Sequence, residues 1–277
     1  MVSAAKLRKA QDAILQLRPF YIKLHEILKR VSSGVDENHH NVFTRSSDTG
    51  RILFIVITSN RGLCGAFNTN IVKRTIQSIH QQYAEAYRNG KVDIIAVGKK
   101  GADQLKGRNY KIEATHHHLF DKLTFDNVSL LTFDRVSALA DKLMRLYVSK
   151  EYDTIEIVYN QFKNAAVQDI TEEFLLPLLP ETEVEEKFET PVDYILEPSE
   201  AEILNEMIPY ALKVQFFRSL LESNAAEHGA RMTAMHKATD NATELIRELE
   251  LNYNKARQAA ITGEILEIVG GAEALKE

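Results

Sequence analysis

This sequence has little cysteine, no long apolar run and no strong net charge. Its one cysteine, Cys64, excludes an internal disulfide and favours a reducing compartment. No stretch approaches the roughly 18 apolar residues of a membrane-spanning helix, and the amino-terminal stretch has neither the apolar core nor the cleavage site of a signal peptide. A net charge of −5 over 277 residues does not favour nucleic acid as a partner.

The small net charge hides a charge asymmetry along the chain. Residues 1–30 contain seven basic and two acidic residues, a local net charge of +5, whereas residues 181–206 contain ten acidic residues and one lysine. Two oppositely charged segments favour partners of different sign.

The apolar spacing at both ends of the chain predicts long helices. In residues 1–33, apolar positions repeat with alternating spacings of three and four, which is the 3.5-residue period of a coiled coil. Residues 199–277 show no strand pattern and continue the same spacing over roughly 110 Å of helix, too long for a globular domain of this size. Gly229 is expected to loosen the middle of this helix. The two ends are therefore predicted to be the arms of one antiparallel coiled coil.

Residues 51–198 have the alternating pattern of an inserted α/β domain. Short apolar runs alternate with amphipathic stretches, which predicts a Rossmann-like domain with a largely parallel sheet. The predicted strands are 52–58, 92–97 and 154–160, the predicted helices are 67–88, 99–106 and 127–149, and extended pieces at 171–176 and 188–196 are predicted to be antiparallel additions.

A glycine-containing turn follows the first strand, in the stretch ITSNRGLCGAFNTN. Strand, glycine turn and helix are the layout of a phosphate-binding loop, but no lysine follows Gly65 as a P-loop requires, and the Gly62–Gly65 pair lacks the third glycine of a dinucleotide fingerprint. The alternative is a tight turn whose glycines take positive φ, with Asn68 or Asn70 capping the next helix. This turn is favoured over a nucleotide site.

Two other groups of residues could suggest metal sites, but each has a simpler structural explanation. His116 and His118 would share one face of an extended strand, but no nearby cysteine or acid pair completes a metal site. The acidic residues of 181–206 lack the glycine-turn loop of a calcium site and are typical of a solvated face. The sequence therefore predicts no catalytic residue, no cofactor and no metal.

Polar residues within the apolar stripe of the carboxyl-terminal helix are more informative. Arg231, Arg257 and Gln258 lie in or beside the stripe. They could extend along an exposed helix into solvent, or they could donate hydrogen bonds to a protein that surrounds the helix.

Three ordered motifs resemble the gamma subunit of F-type ATP synthase over the whole chain. They are MVSAAKLRKAQ, ITSNRGLCGAFNTN and RMTAMHKATDNATELIRELELNYNKARQAAITGEILEIVGGA. The resemblance implies a non-catalytic central shaft that turns inside three alpha and three beta subunits, where ATP is made or hydrolysed. It also implies contacts with the epsilon subunit and the proton-driven c ring, on the cytoplasmic face of the bacterial inner membrane as a peripheral protein.

The resemblance also implies partner-binding residues. Arg257 and Gln258 match the pair that hydrogen-bonds to a beta-subunit loop. Arg231, Lys6, Arg8 and Lys9 lie where the shaft faces acidic beta-subunit loops. The glycine turn, by the same resemblance, holds no nucleotide.

Two other functions remain open from the sequence alone. A stand-alone α/β enzyme would need a pocket with convergent polar groups, and a coiled-coil scaffold would form homodimers through the apolar stripe. Members of the resembled family begin about 25 residues upstream of the first motif. We therefore expect either an upstream start or a shaft whose upper half is ordered only inside the ring. The amino-terminal arm then covers only the lower part of the long helix and leaves Met235, Leu245, Leu249 and Leu266 exposed.

Overall fold

The computed structural model describes residues 2–33, 42–43, 50–120, 131–178 and 199–274. Its elements follow one another in the order α1 (Val2–Ser33), β1 (Ile52–Ile57), α2 (Phe67–Gln81), α3 (Ala84–Arg88), β2 (Val92–Val97), α4 (Lys99–Lys106), β3 (Ile112–Thr115), α5 (Phe133–Val148), β4 (Thr154–Phe162), β5 (Gln168–Leu176) and α6 (Glu200–Ala274). None of the helices within these ranges is long and apolar enough to cross a membrane.

The sheet has the order β3-β2-β1-β4-β5, in which β5 alone is antiparallel to its neighbour. All six residues of β1 are buried, because both faces of the sheet are covered by helices. Phe54 and Val56 pack with α2, whereas Ile55 and Ile57 pack with α5 and α6. The predicted α/β class with a largely parallel sheet is confirmed.

Helix α1 packs antiparallel against the first part of α6. Near the start of α1, Leu7 clusters with Ala225, and near its end Leu24 clusters with Ala211 and Val214. As the residue number rises along α1, the partner's number falls along α6, which is the antiparallel arrangement that the coiled-coil spacing predicts.

The structure falls into two compact units, residues 1–232 and 233–277. The first contains the sheet, α1 to α5 and the start of α6. The described part of the second, through Ala274, is helical throughout.

Several predicted boundaries were wrong for local reasons. The helix predicted over 67–88 is interrupted at Gln82 and Tyr83, where the Tyr83 ring packs edge-on against Phe54 and its hydroxyl donates to buried Glu156. The helix predicted from 127 begins at Phe133, with residues 127–130 outside the described ranges. The extended piece predicted at 188–196 also lies outside them.

Strand β3 was not predicted at all. It has only four residues at the edge of the sheet, and every second side chain is exposed. The sequence IEAT therefore carries no apolar run that would mark a strand.

Candidate functional site

The glycine turn after β1 is held by buried side chains. Asn68 accepts a hydrogen bond from the backbone N–H of Ser59 at 2.9 Å and donates to the Ser59 hydroxyl at 2.8 Å. The predicted helix cap was therefore wrong: α2 has Ala66 at its N-cap with no side-chain cap, and Asn68 stabilises the turn before the helix instead.

Positive φ in this turn falls only partly where the glycines predict it. Gly65 has φ of 60°, but Gly62 is not among the positive-φ residues, and Leu63 between them has φ of 63°. A leucine in the left-handed region is strained by roughly 1–2 kcal/mol. The surrounding hydrogen bonds must therefore impose this conformation on the turn.

In doubly wound folds a nucleotide binds where the connections leave the sheet in opposite directions, at the carboxyl ends of the strands. Here that position lies between β1 and β4. Side chains of this chain fill it, since Phe67 and Cys64 of the first βα unit pack with Val158 of β4 and Ala226 of α6. This packing gives a physical reason to expect a structural turn rather than a nucleotide site.

The three histidines follow the end of β3, where His117 and His118 are exposed, but they do not share one extended strand. His116 follows the end of β3, and His117 and His118 begin a 3-10 turn, His117–Phe120. Burial, followed by the nearby His118 and Lys142, lowers the pKa of His116, so this ring is neutral at pH 7. Within the described ranges no three His, Cys, Asp or Glu side chains are placed to hold a metal ion.

Arg231, a predicted partner contact, makes hydrogen bonds within the chain. Its Nε donates to the Gly62 carbonyl at 3.2 Å and one Nη donates to the Arg61 carbonyl at 3.1 Å. The other Nη pairs with Glu227 at 2.6 Å. The guanidinium thus ties α6 to the glycine turn, a link that the sequence did not predict.

The predicted basic contacts on α1 differ in their surroundings. Arg8 and Lys9 are exposed. Lys6 is half-buried near Glu227. Burial raises the pKa of Glu227, and Arg231 and then Lys6 offset part of this rise. Lys6 therefore already helps to balance a buried carboxyl group.

A charged network that was not predicted from the sequence joins α1, the sheet and α6. Arg218 pairs with Glu173 of β5 at 3.0 Å and with Glu222 at 3.4 Å, and its guanidinium lies 4.2 Å from the centre of the Tyr21 ring. Burial raises the pKa of Glu222 against the influence of Arg218. The only sequence signal is the i, i+4 spacing of Arg218 and Glu222, which is common on any solvated helix.

Residues 233–274 form a helix whose apolar side chains are exposed. Leu245, Leu249 and Leu266 are 55%, 58% and 65% exposed, and Met235 is also exposed, in agreement with the exposure predicted for these four residues. Arg257 and Gln258 are exposed on the same helix. Apolar exposure over many consecutive turns is typical of a protein-binding surface.

The match to known proteins is extensive. A family profile described as ATP synthase matches residues 1–275. The ATP synthase gamma chain of Flavobacterium johnsoniae is 50% identical over 276 residues, covering 99% of this chain and 91% of the relative. The chain belongs to the ATP synthase gamma chain family. As a gamma chain it is a subunit of the F-type ATP synthase complex, and the resemblance seen in the three motifs is confirmed.

Solved structures agree with this gamma-chain fold. A chain of the Euglena gracilis mitochondrial ATP synthase, from a structure of OSCP, F1 and c-ring, aligns with a TM-score of 0.60 at 20% identity, covering 99% of this chain and 93% of that chain. A chain from the central stalk and c-ring of the Tetrahymena thermophila enzyme aligns with a TM-score of 0.58 at 24% identity, covering 86% and 96%.

Proposed function

We propose that this gamma chain is the central rotating shaft of a bacterial, proton-driven F-type ATP synthase. Proton flow through a membrane ring of c subunits turns the shaft inside three alpha and three beta subunits. Each beta subunit then meets a different face of an asymmetric helix, which shifts its population between nucleotide-binding states and sets the rate of ATP synthesis or hydrolysis.

The observation that carries this proposal is the exposed apolar surface of residues 233–274. A single helix gains little stability from propensity alone, so a helix with exposed leucines and isoleucines is expected to be enclosed by other subunits. The names of the structural neighbours, a central stalk with a c-ring and an F1 with a c-ring, support the same arrangement.

The proposed organisation has three parts: residues 1–33 and 199–277 as the two arms of the shaft, and residues 51–198 as the α/β domain. We propose that the α/β domain and the lower shaft bind the epsilon subunit and the c ring. The complex then sits on the cytoplasmic face of the inner membrane with gamma as a peripheral subunit. The relative from Flavobacterium johnsoniae supports a bacterial enzyme.

The proposed contacts with the beta subunits are Arg257, Gln258, Arg231, Lys6, Arg8 and Lys9. Arg257 and Gln258 carry the most weight because both are exposed among the apolar residues of the helix. Arg8 and Lys9 add exposed positive charge on α1, which favours acidic loops on a partner.

The double variant Arg257→Ala, Gln258→Ala tests this contact. Each charge-assisted hydrogen bond contributes about 1.5–3 kcal/mol, so we expect weaker assembly with alpha and beta subunits, or reduced ATP-driven proton pumping, with unchanged thermal unfolding of the free chain. The matched control is Gln82→Ala with Arg88→Ala, a pair of exposed residues on the α/β domain. Normal assembly and pumping in the first variant would remove Arg257 and Gln258 from the contact set.

Subunit stoichiometry separates the rival functions. A shaft is present as one copy with three alpha and three beta chains, whereas a scaffold that dimerises through its apolar stripe gives two copies without them. An enzyme built on the glycine turn would show saturable ATP or NAD binding in calorimetry that Gly65→Val abolishes, and we expect no such binding.

A further inference from the structure

Three separate segments meet α6 within residues 225–232. They are the glycine turn at 61–65, the turn between β4 and β5 near Ala165, and the first turns of α1. We call this arrangement the α6 collar. Its contacts join Ala225 with Leu7 and Ala10, Ala226 with Cys64 and Phe67, and Gly229 with Ala165.

Small residues on α6 allow this close approach. A Cβ atom added at Gly229 would lie 3.0 Å from the carbonyl oxygen of Ala165, which is backbone and cannot rotate away. The expectation that Gly229 loosens the helix was therefore wrong, because the glycine brings the β4–β5 turn against α6. Alanine at positions 225, 226 and 230 keeps the rest of this face free of long side chains, which allows neighbouring segments to approach closely.

Arg231 fastens the collar on the side of the glycine turn. Its two donor bonds to the Arg61 and Gly62 carbonyls use the fixed fork of the guanidinium, while Glu227, one turn earlier on α6, holds that fork in place. The side chains of Arg231 and Glu227 are only 14% and 11% exposed, so water competes weakly for their ion pair. The bond to the Gly62 carbonyl is partly buried, and the bond to the Arg61 carbonyl is exposed.

The glycine turn needs such a restraint. Leu63 combines positive φ with a side chain that is 73% exposed, so its own packing does not compensate for the strain. The two carbonyls that Arg231 binds belong to the two residues immediately before Leu63. Removing the guanidinium would leave the left-handed conformation without this support on the α6 side.

We propose that the α6 collar locks the α/β domain to the long helix, and that Arg231 is a positioning residue for rotary coupling that prevents the glycine turn from slipping against α6. The mechanical part of this proposal rests on the shaft function proposed above. The clamp, by which we mean the hydrogen bonds of Arg231 to the Arg61 and Gly62 carbonyls within the α6 collar, lies within one chain and does not depend on that function.

Hydrogen exchange of the free chain, residues 1–277, tests the clamp without any partner present. In Arg231→Met, the amides of Ser59 and Phe67, which are hydrogen-bonded at the two ends of the glycine turn, should exchange about tenfold faster or more, the change expected from losing one charged hydrogen bond. Amides of β2 should exchange at the wild-type rate, as should the whole chain in the control Arg88→Met. Arg231→Lys, which keeps the charge and loses the fork, should give an intermediate rate. Exchange at wild-type rates in Arg231→Met and Arg231→Lys would overturn the clamp.

The assembled complex tests the mechanical part. Gly229→Val changes the collar at a residue outside the proposed beta-subunit contacts, and we expect fewer protons pumped per ATP hydrolysed while hydrolysis continues. Faster exchange in Arg231→Met together with normal pumping per ATP in Gly229→Val would overturn the coupling role and leave the clamp. If wild-type chain fails to assemble with alpha and beta subunits, the proposed shaft function fails, whereas the exchange result on the free chain still decides the clamp.

Discussion

Helix α6 presents the same kind of apolar spacing in two different environments. Between residues 204 and 232 most of its apolar side chains are covered by the sheet, α5 and α1, and Phe216 and Leu220 are fully buried. Between residues 233 and 274 comparable leucines are more than half exposed. Apolar periodicity therefore predicts that a helix has a face to cover, and only the tertiary structure shows whether the same chain covers it.

The largest expected effect is the difference in unfolding free energy between a leucine-to-alanine substitution in the covered region and one in the exposed region. Leu220→Ala removes a fully buried side chain and should lower the free energy of unfolding of the free chain by about 2–5 kcal/mol. Leu249→Ala removes an exposed side chain and should change it by about 0.5 kcal/mol or less. Urea denaturation of both variants measures the difference. Equal losses would show that the second region is packed in the free chain.

Charge burial gives a second, smaller contrast. Asp93 is fully buried on β2 and accepts hydrogen bonds from Lys111 and Arg51, both at 2.7 Å, and from the Tyr152 hydroxyl at 3.1 Å. Asp93→Asn should lower the free energy of unfolding by about 1–3 kcal/mol at neutral pH. Asp240→Asn, in the second region where the carboxylate is 65% exposed, should have no measurable effect.

The pH dependence of this contrast follows from the pKa of Asp93. Burial would raise this pKa, but hydrogen bonds from Lys111, Arg51 and Tyr152 outweigh burial and lower it. A carboxyl group with a lowered folded-state pKa stabilises the protein above its unfolded pKa of about 3.9 and loses this contribution as pH falls through the folded value. The difference between wild type and Asp93→Asn should therefore be constant from neutral pH to about pH 5 and should shrink below about pH 4. A difference that grows on acidification would contradict this assignment.

Two glycines in α6 provide the smallest contrast. Gly263 has no atom within 4 Å of an added Cβ, so Gly263→Ala should stabilise the helix by about 0.5–1 kcal/mol. Gly229→Ala gains the same helix propensity but forces its methyl group against Ala165, and should be neutral or destabilising by about 1 kcal/mol. Thermal unfolding by circular dichroism measures both. Stabilisation by Gly229→Ala would mean that the β4–β5 turn moves away easily.

Elements with a strong local pattern were predictable from the sequence. Strand β2 and helix α4 begin and end at the predicted residues, because their apolar periods are clear and glycines mark their ends. Tertiary contacts decided the rest: Tyr83 interrupts a helical pattern to reach Glu156, and the sheet edge allows β3 to form without apolar residues on both faces.

In the candidate site, too, the sequence predicted some features and missed others. Exposure of Leu245, Leu249 and Leu266 was predicted from the sequence. The apolar seam of residues 7–31 can pair with only a comparable length of the long helix. The bonds of Arg231 to the glycine turn join residues about 170 positions apart in sequence, and nothing in the local pattern of either segment indicates them. The contacts proposed for Arg257 and Gln258 stay predictions, since they concern other subunits.

The antiparallel pairing of α1 with α6 also affects the order of events during synthesis. Leu7 leaves the ribosome more than 200 residues before its neighbours Ala225 and Met232, a delay on the order of 10–40 s at ordinary translation rates. Strands β1 to β5 are made during this interval and can form the sheet, while the apolar stripe of α1 has no helix to cover it. The apolar stripe of the nascent amino-terminal helix is therefore open to chaperones and to aggregation for longer than the apolar faces of β1 to β5.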